Sequence, residues 1–332
     1  MSGALEVADL SVNFTQRRAR VAAVRRVSLR IAEGECVAVV GESGSGKTQL
    51  FMAAMGLLPK SASTEGSVTF QGMELLRADR AALNRVRGSK LAMIFQDPMS
   101  ALTPHLPVGT QLAEVLVQHA GLSWRDAWQS AARMLERVRM DEAQRRMKQY
   151  PHEMSGGLRQ RVMIAMSLLC APALVIADEP TASLDVTVQL QIMELLRDMR
   201  GEFGLALALI SHDLGLVGGF ADRILVMYAG RIVESASAAE LFRRPRHPYT
   251  AELIRCMPRL SGPVPPRMAT LPGQPPRPQE LLPGCAFAPR CPRAAQRCRS
   301  ELPALSGAAD GAAGVGGAAG EGAAACHFPL DQ

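Results

Sequence analysis

The residues with the clearest chemical purpose lie between Gly41 and Thr48. There Gly41, Glu42, Ser43, Gly44, Ser45, Gly46, Lys47 and Thr48 follow the spacing G-x-x-x-x-G-K-[ST]. Gly41, Gly44 and Gly46 let the backbone turn its N–H groups inward around phosphates. Lys47 can reach the β and γ phosphates of a nucleotide, and Thr48 offers a hydroxyl to Mg2+. A second acidic pair, Asp178 and Glu179, ends the apolar run Leu174 to Ala177. Asp178 suits Mg2+ through its bound water, and Glu179 suits the general base that polarises the attacking water.

These groups need elements to aim them. Cys36–Val40 is an apolar run of buried-strand length immediately before the glycine loop, and the helical stretch QLFMAAMGLL comes after it. A helix starting there points its positive end at the phosphates. LVIADEP, Leu174 to Pro180, reads as a second strand of four apolar residues ending in two acids, and the turn at the strand's end can bring both acids toward one nucleotide. Ser155, Gly156 and Gly157 open the apolar helix through VMIAMSLL, so bare N–H groups and a hydroxyl sit at a helix N-terminus, another place for an anion.

The wider chain has 332 residues, of which 48% are hydrophobic and 20% charged, enough for one large domain or two smaller ones. Aromatic residues are only 4%, which gives a base-stacking surface for single-stranded nucleic acid little to work with. The net charge of +6 comes from 37 basic residues and suits anionic ligands, lipid headgroups, subunit interfaces or simply a solvated surface. The N-terminus carries no basic start followed by an apolar run, which predicts a cytoplasmic chain. The apolar stretch Val162 to Ala177 is broken by Ser167 and Pro172 and falls short of the ~20 residues of a spanning helix, so any membrane role is predicted to be peripheral.

Short strand patterns alternate with amphipathic helices up to about residue 240, which predicts an α/β fold. Between Pro258 and Pro292 lie 11 of the 22 prolines, so this part reads as an extended linker or small module. Ser306 to Ala325 is almost all Gly and Ala and is predicted to be a flexible loop. Four of the seven cysteines, Cys285, Cys291, Cys298 and Cys326, fall in this last part. In a reduced compartment they could be ligands of zinc or of an iron–sulfur cluster, or unrelated thiols.

The segment Met154 to Arg161, MSGGLRQR, resembles the LSGGQ signature of the nucleotide-binding subunits of ABC transporters, with Leu158 in place of the glutamine. The resemblance covers nearly the whole chain. It implies an ABC-type P-loop ATPase with a RecA-like core, an antiparallel β subdomain, an inserted helical subdomain at about 98–160 and a small Pro/Cys-rich C-terminal extension. The division implied is a nucleotide-binding domain over 1–240 and an extension over 241–332. By resemblance, Ser155, Gly156 and Gly157 bind the ATP held by an opposite subunit, and Gln96 senses Mg2+ and the attacking water. Ser183, Leu184 and Asp185 form the loop that couples the two sites, His212 contacts the γ-phosphate, and Phe14 stacks on adenine.

FQDPMSALTP, Phe95 to Pro104, together with HPYTAELI and GCAFAPRCPRA, resembles the oligopeptide and dipeptide importer branch, in which four such cysteines ligate a [4Fe–4S] cluster in some members. The function implied is an ATPase subunit of a dipeptide or oligopeptide importer, with nickel, glutathione or another solute as the alternative. Its partners would be a second cassette, usually a different chain, two transmembrane permease subunits and, indirectly, a solute-binding protein. It would sit at the cytoplasmic face of the inner membrane. A soluble ABC ATPase acting on nucleic acid or ribosomes fits less well, because the chain carries one cassette and no sustained heptads.

Overall fold

The computed structural model describes residues 3–16, 19–182, 184–257, 270–277, 279–280, 282–307 and 322–330. The chain divides into two compact units, one of residues 1–4, 31–35 and 77–210 and the other of residues 5–30, 36–76 and 211–332.

In the first unit, Leu91–Ile94, Leu174–Asp178 and Ala206–Ser211 run parallel with Leu174–Asp178 in the middle, in the registers Leu91 opposite Leu174 and Asp178 opposite Ile210. All five residues of the middle strand are buried, which is why it reads as an unbroken apolar run and not an alternation. Around it stand the helices Val108–Ala120, Trp124–Arg137, Gly156–Leu168 and Val186–Phe203. Their ends obey local chemistry. Ser123 accepts from the Asp126 N–H to start the second, and Gly204, with φ of 64°, ends the last as only glycine does without strain.

In the second unit a four-stranded sheet has the order Ala19–Ala32, Gly3–Gln16, Ala62–Phe70, Met73–Glu74. Cys36–Val40 lies parallel to Arg223–Tyr228, which turns back through Ala229 and Gly230 into Arg231–Ser237. Both turn residues have positive φ, 47° and 79°, the geometry of a tight hairpin. The Gly/Ala-rich segment departs from its predicted reading at its ends. Ser306–Gly307 pairs with Ala323–Ala324, which in turn pairs with Glu234 and Ser235 on the hairpin edge. The free N–H and C=O groups of that edge recruit a partner strand that side-chain composition alone does not announce. The middle of the segment, 308–321, lies outside the described residues, as do 258–269 of the proline-rich stretch.

Glu234 ties the hairpin to the helix Pro248–Arg255. It is 1% exposed, and its carboxylate accepts the N–H groups of Arg246 at 2.6 Å and His247 at 2.9 Å, just before that helix begins. Burial pushes this carboxyl up from its ordinary value, and the two N–H groups oppose that. Glu234→Ala strands both donors and is expected to cost about 2–4 kcal/mol, read as a lower urea midpoint.

Candidate functional site

The glycine loop is a turn that only glycines can make. Strand Cys36–Val40 is buried throughout and delivers the chain to Gly41 at φ 153°, followed by Gly44 at 78° and Gly46 at 98°. A Cβ on Gly41 would stand 2.1 Å from the Met227 carbonyl oxygen, and one on Gly46 would stand 2.2 Å from that of Ala23. The Gly230 N–H donates to the Ser45 carbonyl at 2.9 Å, so the hairpin turn braces the loop from below.

Lys47 opens the helix Lys47–Ala54 and is 5% exposed. Its ammonium donates to the carbonyls of Gly41 at 2.8 Å and Glu42 at 3.1 Å, which brings a positive charge back over the loop. Ser45 Oγ is buried and has no hydrogen-bond partner. Gly46, at the helix start, offers no side-chain cap. An orphaned hydroxyl, an uncapped helix N-terminus and a buried ammonium on one glycine loop fit a triphosphate with its Mg2+. Ser43 and Gly44 are exposed, and Thr48 is half-buried.

Glu42 is held from a part of the chain that local sequence reading did not connect with the loop. Arg290 forms a two-armed ion pair with its carboxylate at 2.7 and 2.9 Å, and Tyr249 Oη accepts the Glu42 N–H at 3.0 Å. Phe14 sits half-buried on the edge-to-edge pairing of Gly3–Gln16 with Ala62–Phe70, opposite Ala62. His212 is exposed just past strand Ala206–Ser211, beside Asp213, which caps the next short helix.

In the first unit, Asp178 is 4% exposed at the strand end and Glu179 comes next with φ of 45°. An extended chain would send consecutive side chains to opposite faces, and the left-handed residue stops that alternation at the acidic pair. Gln96 Nε2 donates to Glu179 Oε2 at 3.0 Å, so two residues 83 apart in the chain are brought together.

Ser155 caps the helix Gly156–Leu168 by accepting from the Leu158 N–H, with Gly156 close to Leu184 and Gly157 close to Val188. Asp185 caps the helix Val186–Phe203 by accepting from the Val188 N–H at 3.0 Å. Ser183 lies outside the described residues.

Cys285, Cys291, Cys298 and Cys326 line one cavity together with His247 and Phe287. All four are free thiols. Burial pushes the thiols of Cys285, Cys291 and Cys326 up, and neighbouring cysteines of the set push them further. Four sulfurs around an apolar space are a soft donor set. Among the described residues, no group of three or more His, Cys, Asp or Glu is disposed to hold a metal ion.

The glycine loop, the acidic strand end and the serine-glycine helix start define a P-loop ATPase of the ABC class. Residues 24–182 match the family "ABC transporter", and residues 233–298 match "Oligopeptide/dipeptide transporter, C-terminal region". The chain is 50% identical to the oligopeptide transport ATP-binding protein OppD of Salmonella typhimurium, over 90% of this chain and 89% of that one. It is 43% identical to the oligopeptide transport ATP-binding protein AppD of Bacillus subtilis, over 92% and 93%. Among solved structures it resembles the ATP-binding cassette MJ0796 bound to ADP and Pi, with a TM-score of 0.63 and 27% identity over 70% of this chain and 98% of that one. It also resembles cbiO1 of Clostridium perfringens, with a TM-score of 0.62 and 26% identity over 73% and 92%. The chain belongs to the ATP-hydrolysing subunits of ABC transporters, in their oligopeptide-transport branch. Among the described residues no helix is long and apolar enough to cross a membrane.

Gly46→Ala tests the loop. It forces a Cβ against the Ala23 carbonyl, and ATP affinity is expected to fall at least about tenfold in equilibrium binding while the far-ultraviolet circular dichroism stays near wild type.

Proposed function

We propose that this protein powers an importer of dipeptides or oligopeptides as one of its two ATP-hydrolysing subunits. The glycine loop carries the ATP-binding part of this reading, because its backbone, the orphaned Ser45 hydroxyl and the Lys47 ammonium suit a triphosphate. In this reading residues 1–240 are the nucleotide-binding domain, with a helical subdomain at about 98–160, and 241–332 are the extension. Gly41 to Thr48 hold the phosphates, with Thr48, Asp178 and Gln96 serving Mg2+. Mg2+, when bound, neutralises charge developing on the phosphates.

Glu179 takes the role of general base. Its hydrogen bond to Gln96 supports that role, since an amide donor fixes the carboxylate that must face the attacking water. His212 contacts the γ-phosphate and Phe14 the adenine. Ser155, Gly156, Gly157 and Asp185 serve the nucleotide held with a second cassette. That partner is proposed to be a different chain, and both cassettes dock on two permease subunits at the cytoplasmic membrane face, supplied by a solute-binding protein. The peptide assignment is supported by the 50% identity to an oligopeptide transport ATP-binding protein.

Cys285, Cys291, Cys298 and Cys326 are proposed to hold a [4Fe–4S] cluster, with zinc as the alternative, in a structural role. The shared apolar cavity supports this.

Two measurements test these roles. In the assembled transporter, Glu179→Gln is expected to bind ATP, to trap a closed pair of cassettes and to lose turnover by about 100-fold or more, whereas ordinary hydrolysis rates would overturn the assignment. Protein purified without oxygen is expected to contain iron and acid-labile sulfide in equal amounts with visible charge-transfer absorption. Zinc alone would select the alternative, and no metal at all would remove the cysteines from any ligand role.

A further inference from the structure

We propose that Arg290 and Tyr249 are positioning residues of the ATP site, neutralising and fixing Glu42 so that the glycine loop accepts a polyanion. This rests on the reading of Gly41–Thr48 as the triphosphate loop. Glu42 poses a physical problem: a carboxylate in the loop that receives ATP repels it.

The structure answers with a guanidinium placed in advance. Arg290 is 5% exposed at its side chain against 26% for Glu42, and both of its terminal nitrogens engage the carboxylate. Its other contacts hold it still. Nε donates to the Pro272 carbonyl at 2.8 Å, Nη1 also donates to Tyr228 Oη at 3.1 Å, and the guanidinium lies 5.8 Å from the Tyr228 ring centre and 6.0 Å from that of Phe287. The fork geometry is what arginine supplies and lysine does not.

Tyr249 fixes the backbone of the same residue. It is fully buried, its hydroxyl accepts the Glu42 N–H, and its ring packs on Tyr228 at 4.6 Å and Phe287 at 5.4 Å between ring centres. Burial pushes its phenol up, so the hydroxyl stays neutral. Side chain and N–H of Glu42 are thus both committed, to Arg290 and Tyr249 respectively. Of these, Arg290 lies immediately before Cys291.

The test uses the full-length chain with a fluorescent ATP analogue for affinity, and the assembled transporter for KM and kcat. Arg290→Ala is expected to weaken ATP binding and raise KM about tenfold with kcat within about twofold, as an uncompensated carboxylate requires. Tyr249→Phe is expected to weaken binding about three- to fivefold. The signature of neutralisation is rescue: Arg290→Ala combined with Glu42→Gln should return to within about threefold of wild type. An Arg290→Ala variant with unchanged affinity, or one not rescued by Glu42→Gln, would overturn the proposal. Should Arg290→Ala fail to fold, Glu42→Gln alone decides. It leaves the Arg290 charge beside the triphosphate and must tighten ATP binding about threefold, and unchanged or weaker binding would overturn the proposal. Lys47→Ala separates the two levels. If it binds ATP like wild type the loop reading itself fails, and if it loses ATP while Arg290→Ala does not, only the positioning role fails.

Discussion

A loop that receives phosphates has to keep most of its N–H groups for them, which leaves few of the contacts that ordinarily shape a turn: here the Ser45 N–H donates to the Glu42 carbonyl at 3.2 Å and the Glu42 N–H to Tyr249 Oη. Much of its form is imposed from outside. Here the imposing groups are carbonyls and side chains on every flank: Met227 and Ala23 crowd the places where side chains would grow on Gly41 and Gly46, Gly230 bonds the Ser45 carbonyl, and Arg290 and Tyr249 take hold of Glu42. Gly41 and Gly46 are therefore required twice, once for their positive φ and once because the surrounding backbone comes too close for a methyl group.

The same economy recurs at the helix starts. Ser155 and Asp185 accept N–H groups of the helices they open, Ser155 beside bare glycines in the family signature. A polar residue at such a place satisfies the fold whether or not a nucleotide approaches. For Asp185 the capping bond is a sufficient structural reason for the residue type, and any service to a second cassette is additional.

How much of the molecule was legible in its sequence depends on the range of the forces involved. The strand, loop and helix around Lys47 could be read directly, because buried strands, glycine turns and helix starts are written in neighbouring residues. Asp178 and Glu179 were readable for the same reason, although the left-handed turn at Glu179 was not. The bond between Gln96 and Glu179 joins residues 83 apart, and only family resemblance named Gln96. Arg290 escaped altogether: its segment reads as a frame for cysteines, and no periodicity relates it to Glu42. The short pairing of Ser306–Gly307 with Ala323–Ala324 was hidden too, since Gly and Ala carry no strand signature and the hairpin edge supplies the template.

The ion pair between Glu42 and Arg290 spans 248 residues. A ribosome makes the phosphate loop early and its counter-charge late, and contacts so far apart close only after a large loop of chain has been confined. On the reading proposed for Arg290, a loop made early in synthesis gains its counter-charge only once the cysteine-bearing segment has been made and folded against it. On that reading, the competence of the phosphate loop depends on a segment 248 residues further along the chain.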